Sequence, residues 1–218
     1  MMKKKEFAQI ALEIATTYDT LYVMGGWGGC LHAKGKTRAF KNSYNTTPDR
    51  KALIEAASDN TFGFDCVGLI KTILWGWCGD TNPSYSYGGA SAKSNGVPDV
   101  GADNMIKLCT DVSEDFETID IGEMVWMSGH CGIYLGGGIV AEATPKWDDG
   151  VQLTACLNVG EIEELNGRVW TSHGRLPWVD YEPEPGDAVR VVGVDKGRGD
   201  NLVLQYKHGG VIVAAKED

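Results

Sequence analysis

The chain has 218 residues, 43% of them apolar, which suits one well-buried domain with residues to spare for an appendage and excludes a disordered chain. A net charge of −10 argues against a nucleic-acid partner, since phosphate contacts need clustered Lys and Arg. No apolar run approaches the length that crosses a bilayer, so no membrane partner is expected.

The basic start Met1-Met2-Lys3-Lys4-Lys5 lacks the core of a signal peptide, because Glu6, Gln9 and Glu13 interrupt the apolar stretch and no small-residue cleavage site closes it. Synthesis in the cytoplasm without a signal peptide is the expectation. Phe7, Ile10, Ala11 and Ile14 share one face at helical spacing and predict an amphipathic first helix. Residues 21–29 read as a short extended piece running into a glycine loop, where a backbone can approach a partner closely. Residues 30–60 are polar, with one short helix predicted over 49–57.

Asp65, a capping residue type, precedes a helix predicted from 66 to about 77, with Val67, Ile70, Leu74 and Trp77 along one face. Residues 80–103 have loop composition, and a loop of that length is usually functional or disordered. A helix over 102–109 leads into strands predicted at 122–127, 130–135, 139–143 and 151–157, with further strand-like residues in 168–179. Gly136-Gly137-Gly138 is the turn between the second and third of these. A helical half followed by an antiparallel half predicts α+β. Residues 181–186 read as a stiff linker between a domain over 1–180 and a small β module over 187–218, whose three short strands are expected at 187–194, 202–207 and 211–215.

The six cysteines contain no CxxC pair, and His32, His173 and His208 lack partners at metal-ligand spacing, so no metal is expected. The glycine runs do not follow a strand-turn-helix pattern with a Lys, so no nucleotide or other cofactor is expected either. Cys66 is the exception among the thiols. At a helix N-terminus the exposed N–H groups and the dipole favour thiolate, and His130, opening a strand, is a base to activate it. A symmetric turn centred on Gly137 sets Glu142 opposite Gly132, on the face that His130 shares, where its carboxylate meets the far imidazole nitrogen. Nucleophile, base and orienting carboxylate form a triad. Bland readings stand beside it: Cys66 as a small core residue, His130 as a hydrogen-bonded strand histidine, Glu142 facing solvent, Asp65 as a helix cap only, and Tyr22 as a core aromatic. Trp27, Tyr85, Tyr87 and Trp147 read either as stacking walls for sugar or peptide or as packing residues.

Four segments carry a resemblance: Tyr22-Val23-Met24-Gly25-Gly26, Phe64-Asp65-Cys66-Val67-Gly68-Leu69-Ile70, Gly122-Glu123-Met124-Val125-Trp126 and His130-Cys131-Gly132-Ile133-Tyr134-Leu135-Gly136. In this order the chain resembles the NlpC-type cell-wall peptidases, a bacterial and phage branch of the papain-like fold, over roughly residues 21–143. Glu142 stands where that family places its third polar residue. The resemblance implies a papain-like core of N-terminal helices packed on an antiparallel sheet. It implies hydrolysis, through a thioester, of an amide bond in the peptidoglycan stem peptide, the bond from D-Glu to the diamino acid being favoured. Cys66 would attack, His130 would shuttle the proton, and Tyr22 with backbone N–H groups near Cys66 would line the oxyanion site. Asp65 would hold the amino end of the peptide, with Gly26 and Trp27 in the substrate-binding set. The partner is the stem peptide, met at the cell wall by a monomer without a metal or cofactor. The late segment 173–181 resembles the end of the catalytic domain in some phage lysins, and a chain without an export signal fits a lysin released through a separately made pore.

The chain departs from the family at Val67, where Ser is usual, and at Cys131, where an aliphatic residue is usual; its polar stretch 29–62 is also long. Two other readings stay open. One is a CHAP-type amidase cutting between muramic acid and L-alanine. The other is a wall-binding protein without catalysis on the same scaffold.

Overall fold

The computed structural model describes residues 1–82 and 87–182, together with the backbone of 190–196 and 202–207. In chain order the elements are β1 (Met2–Lys3), α1 (Lys4–Thr17), β2 (Thr20–Tyr22), β3 (Trp27–Cys30), α2 (Ala33–Ala39), α3 (Pro48–Ala56), β4 (Phe62–Phe64), α4 (Cys66–Leu74), α5 (Ala102–Met105), β5 (Thr110–Ser113), β6 (Met124–Met127), β7 (His130–Gly136), β8 (Ile139–Thr144), β9 (Gly150–Cys156), β10 (Gly167–Arg168), β11 (Ser172–Arg175), β12 (Val179–Asp180), β13 (Arg190–Lys196) and β14 (Leu202–Lys207). A seven-stranded sheet runs β10-β9-β8-β7-β6-β11-β5 and is antiparallel except where β10 joins β9. Mixed helix and sheet of this kind fits the expected α+β class.

The amino-terminal half is not purely helical. The expected glycine loop at 25–29 is a turn followed by β3, and β2, β4 and β3 form a second sheet in that order, β2 and β4 being parallel. Helix α2 lies in the polar stretch 30–60, ahead of the one helix predicted there; its sequence Ala-Lys-Gly-Lys-Thr-Arg-Ala offers no apolar period, and its start is set by the His32 Nδ1, which accepts from the N–H groups of Lys34 and Gly35 at 3.2 and 3.4 Å. Strands β4 and β5 are too short for periodicity to reveal.

Helix α4 is buried along all nine residues rather than on one face, because α1, the sheet and the 91–100 segment enclose it. The Lys71 ammonium, 4% exposed, pairs with Asp99 at 2.6 Å, and the Asn95 amide and Ser94 hydroxyl donate to the end carbonyls of Leu74 and Trp75 at 2.8 and 3.1 Å. The helix stops at Leu74, short of the predicted 77, because Gly76 adopts φ +90° and the N–H groups of Gly76 and Trp77 turn back to Ile73 and Thr72. At the other end the Gly26 carbonyl crosses so close that a Cβ on Gly68 would lie 2.0 Å from it. Gly68→Ala is therefore expected to cost at least about 2 kcal/mol, read from chemical denaturation.

The seven-stranded sheet buries different sets on its two faces. Cys131, Ile133, Leu135, Ala141 and Ala143 pack with α1 and α4 in the main core, whereas Val125, Tyr134 and Val140 form a second cluster with Trp170. The ends of the 1–180 region meet where β1 pairs with β12 and Lys3 bridges to Asp180 at 2.6 Å. Tyr181, expected to open the linker, is anchored to this body by donating to the Gly122 carbonyl at 2.8 Å and accepting from Leu176 N–H at 3.2 Å. Of the expected carboxy-terminal strands, β13 and β14 form an antiparallel pair; residues 183–189 and the strand at 211–215 lie outside the described residues.

Candidate functional site

Strand β4 runs directly into α4, so Asp65 falls at the N-cap and Cys66 at the first helical position. One Asp65 oxygen accepts from Gly68 N–H at 2.5 Å and the other from Gly25 N–H at 2.8 Å, while Asp65 N–H donates to the Gly26 carbonyl at 3.1 Å. Asp65 thus caps the helix and pins the Gly25-Gly26 turn against it. Burial and the neighbouring Cys66 charge push the carboxyl up to about 7, against the pull of the Gly68 N–H, Lys71 and the Gly25 N–H. Asp65→Ala is expected to lower stability by about 1–2 kcal/mol through loss of the cap, and Asp65→Asn by less, when the two are compared by thermal unfolding.

The β7/β8 hairpin has the register that the symmetric count predicts, Ile133 pairing with Ala141 and Tyr134 with Val140. Its tip differs: a shift after Tyr134 pairs Gly136 with Ile139, and all three glycines of the turn have positive φ. His130 and Glu142 then meet, His130 Nε2 lying 2.5 Å from Glu142 Oε2. A side chain at Gly132 would crowd Val140 and the Glu142 Cβ, so the bare position keeps that face open. With Nε2 engaged by Glu142, the other imidazole nitrogen is the one that remains to serve Cys66, which lies close enough for each group to shift the ionisation of the other.

Strand alternation turns Cys131 to the opposite face, toward α4, where it joins Cys66 in the main core and its thiol influences the Cys66 sulfur. Cys66 is lowered to about 5: the Cys131 thiol is the largest influence, burial opposes it, and the His130 hydrogen bond and charge and the Cys131 N–H add to it. Burial works against the His130 imidazolium, yet hydrogen bonds to Cys66 and Glu142 and their charges outweigh it, raising His130 to about 9. Thiolate forms above the first value and imidazolium persists below the second. Iodoacetamide should therefore alkylate Cys66 at a rate that holds down to about pH 5, whereas an ordinary thiol loses reactivity below pH ~8.5.

Glu142 is fully buried. Arg168 Nε reaches both its oxygens at 3.1 Å, Arg168 Nη2 reaches Oε2 at 3.0 Å, and the Thr154 hydroxyl donates to Oε1 at 2.8 Å. Trp170 stacks on the His130 ring with centroids 5.5 Å apart and planes 13° apart. None of Arg168, Trp170 and Thr154 emerges from reading the sequence. Thr154 alone had a findable signal, since continuing the β8/β9 alternation carries it to the diagonal of Glu142.

The remaining expected residues divide. Tyr22 is buried beside the thiol; burial, then the Cys66 and Asp65 charges, push its phenol far up, so it remains an O–H donor. Its carbonyl accepts from Arg50, which also pairs with Asp149. Gly26 and Trp27 line, with Arg38, Lys41 and Tyr87, a cavity of about 420 Å³, and the Gly26 carbonyl also accepts from the Asp65 N–H at the start of α4. Trp27 packs there against Trp75 and Tyr87. Trp147 covers Arg168 at 5.1 Å, and Tyr85 and His208 lie outside the described residues. His32 caps α2, and His173 is buried against Glu123 and the Asp115 carbonyl. Among the described residues no group of three or more His, Cys, Asp or Glu is arranged to hold a metal ion, and no helix is long and apolar enough to cross a membrane.

No protein-family model matches the chain, and no curated protein matches it.

Proposed function

We propose that the chain is a cysteine hydrolase of the peptidoglycan stem peptide, a papain-like enzyme of NlpC type acting at the cell wall. The observation that carries this reading is the placement of Cys66 at the first position of α4, within electrostatic reach of a His130 that is itself bonded to the buried Glu142. A nucleophile on a helix packed against an antiparallel sheet that supplies the base is the arrangement expected of a papain-like core.

In the proposed reaction the Cys66 thiolate attacks the scissile carbonyl carbon. The oxyanion that forms draws on the Cys66 and Val67 N–H groups that open α4, which have no acceptor within the helix, and on the Tyr22 hydroxyl. Collapse expels the amine, which takes its proton from His130, and leaves a thioester on Cys66. His130 then deprotonates water, the hydroxide attacks the thioester, and the acid leaves as the thiolate reforms. Glu142 holds the His130 tautomer and steadies the imidazolium in both halves.

Purified peptidoglycan digested with the protein should release fragments whose masses and new amino ends identify scission between D-Glu and the diamino acid. Scission between muramic acid and L-alanine would assign the amidase reaction instead. Intact peptidoglycan after prolonged incubation would refute hydrolysis.

A further inference from the structure

We infer that Arg168 is a positioning residue of the catalytic line, acting through Glu142. This rests on the reading of Cys66 and His130 as nucleophile and base, but not on the identity of the substrate.

A carboxylate with no solvent contact takes up a proton unless its charge is compensated. The bonds to Glu142 come from His130, Thr154 and Arg168, and of these only the guanidinium is charged at every working pH. Its fork spans both carboxylate oxygens, a geometry that an ammonium does not reproduce. Thiolate, imidazolium, carboxylate and guanidinium then alternate in sign along one line, with no net charge left in the buried site. Without Arg168, Glu142 would accept a proton at higher pH, the imidazolium would lose its support, and the thiol would ionise later.

The surroundings hold the guanidinium in place. Strand β10 is only two residues long, yet it is tied to the sheet edge by Ala155 N–H donating to Asn166 at 2.8 Å and Leu157 N–H donating to the Arg168 carbonyl at 2.9 Å. Trp147 and Trp170 both lie against the guanidinium, at 5.1 and 5.7 Å. Trp170 is itself the ring stacked on His130, and its backbone is clamped by Asn158, which accepts from its N–H at 2.7 Å and donates to its carbonyl at 3.0 Å. Other ionisable groups lie at both ends of the line: Asp65, Tyr22 and Cys131 beside the thiol, with Lys71 acting on Asp65 and Cys131, and Lys146 over the Trp147 ring that covers Arg168, at 5.9 Å from its centroid.

The test is the pH dependence of Cys66 alkylation by iodoacetamide, quantified by mass on the peptide containing Cys66, in wild type, Arg168→Gln, Arg168→Lys, Glu142→Gln and the Glu142→Gln/Arg168→Gln double variant. Arg168→Gln should move the acid limb up by at least about one pH unit, a roughly tenfold slower reaction at the foot of the wild-type limb. Arg168→Lys should move it by less. In the Glu142→Gln background, Arg168→Gln should add no further shift, because the path through the carboxylate is already cut. A lowered melting temperature with the limb unmoved would assign Arg168 a structural role and overturn the proposal. An equal shift in the Glu142→Gln background would also overturn it. If the Gln variant does not fold, an unshifted limb in Arg168→Lys overturns it alone. A wild-type limb at the ordinary thiol position would remove the nucleophile reading and this inference with it, so the two failures are distinguishable.

Discussion

Cys66→Ala is expected to abolish release of peptidoglycan fragments, a loss of about 10⁶-fold if the thiol is the sole nucleophile, with far-UV circular dichroism and melting temperature close to wild type. The fold should survive because the helix start does not depend on the sulfur. Asp65 still caps α4, and Leu69, Ile70 and Ile73, all fully buried, still seat the helix in the core. The substitution removes one buried sulfur and leaves His130 paired with Glu142. Activity lost without loss of structure separates a catalytic thiol from a packed one. Equal wall binding by Cys66→Ala and wild type, with no fragments released by either, would favour the wall-binding reading.

Glu142→Gln is expected to lower turnover by about 10³–10⁴-fold through the wrong imidazole tautomer. Arg168 dictates which way the new amide turns: the guanidinium only donates, so the Gln carbonyl must face it and the amide NH₂ must face His130 Nε2. That nitrogen then becomes an acceptor, the ring proton moves to the nitrogen beside Cys66, and His130 is no longer able to take the thiol proton. The same change leaves the Arg168 charge without its buried partner, so stability should fall by up to about 3 kcal/mol. Turnover measured well below the variant's melting temperature isolates the catalytic effect. A variant that is merely less stable, with kcat preserved, would exclude Glu142 from the triad.

Glu142 and Arg168 also mark the boundary of what the amino-acid sequence makes legible. The His130–Glu142 contact follows from two local facts, the period of two along a strand and a glycine turn short enough to count across, and a one-residue displacement at the tip leaves the paired positions unchanged. The start of α4 is equally local, being written in Asp65 and the apolar run behind it. Arg168 arrives by contrast on a two-residue edge strand, with Trp170 just beyond it, after a connection of residues 157–166 and through a parallel pairing with β9, and nothing in the immediate sequence specifies that partner. Cys131 lies between these cases. Alternation assigns it to the face of Ile133 and Leu135, which packs on α4, so its approach to the Cys66 thiol follows once the helix is known to cover that face. The enclosure of α4 on every side, and the packing of Trp27 against Trp75 and Tyr87, depend on contacts between distant segments and have no local signature.

Acid-quenched mass analysis of the protein mixed with a soluble stem peptide looks for the thioester bond that the mechanism forms. A transient mass increase equal to the acyl half of the peptide is expected on the peptide fragment containing Cys66 and is absent from Cys66→Ala. Cleavage of the substrate with an adduct on another residue, or undiminished cleavage by Cys66→Ala, would contradict it.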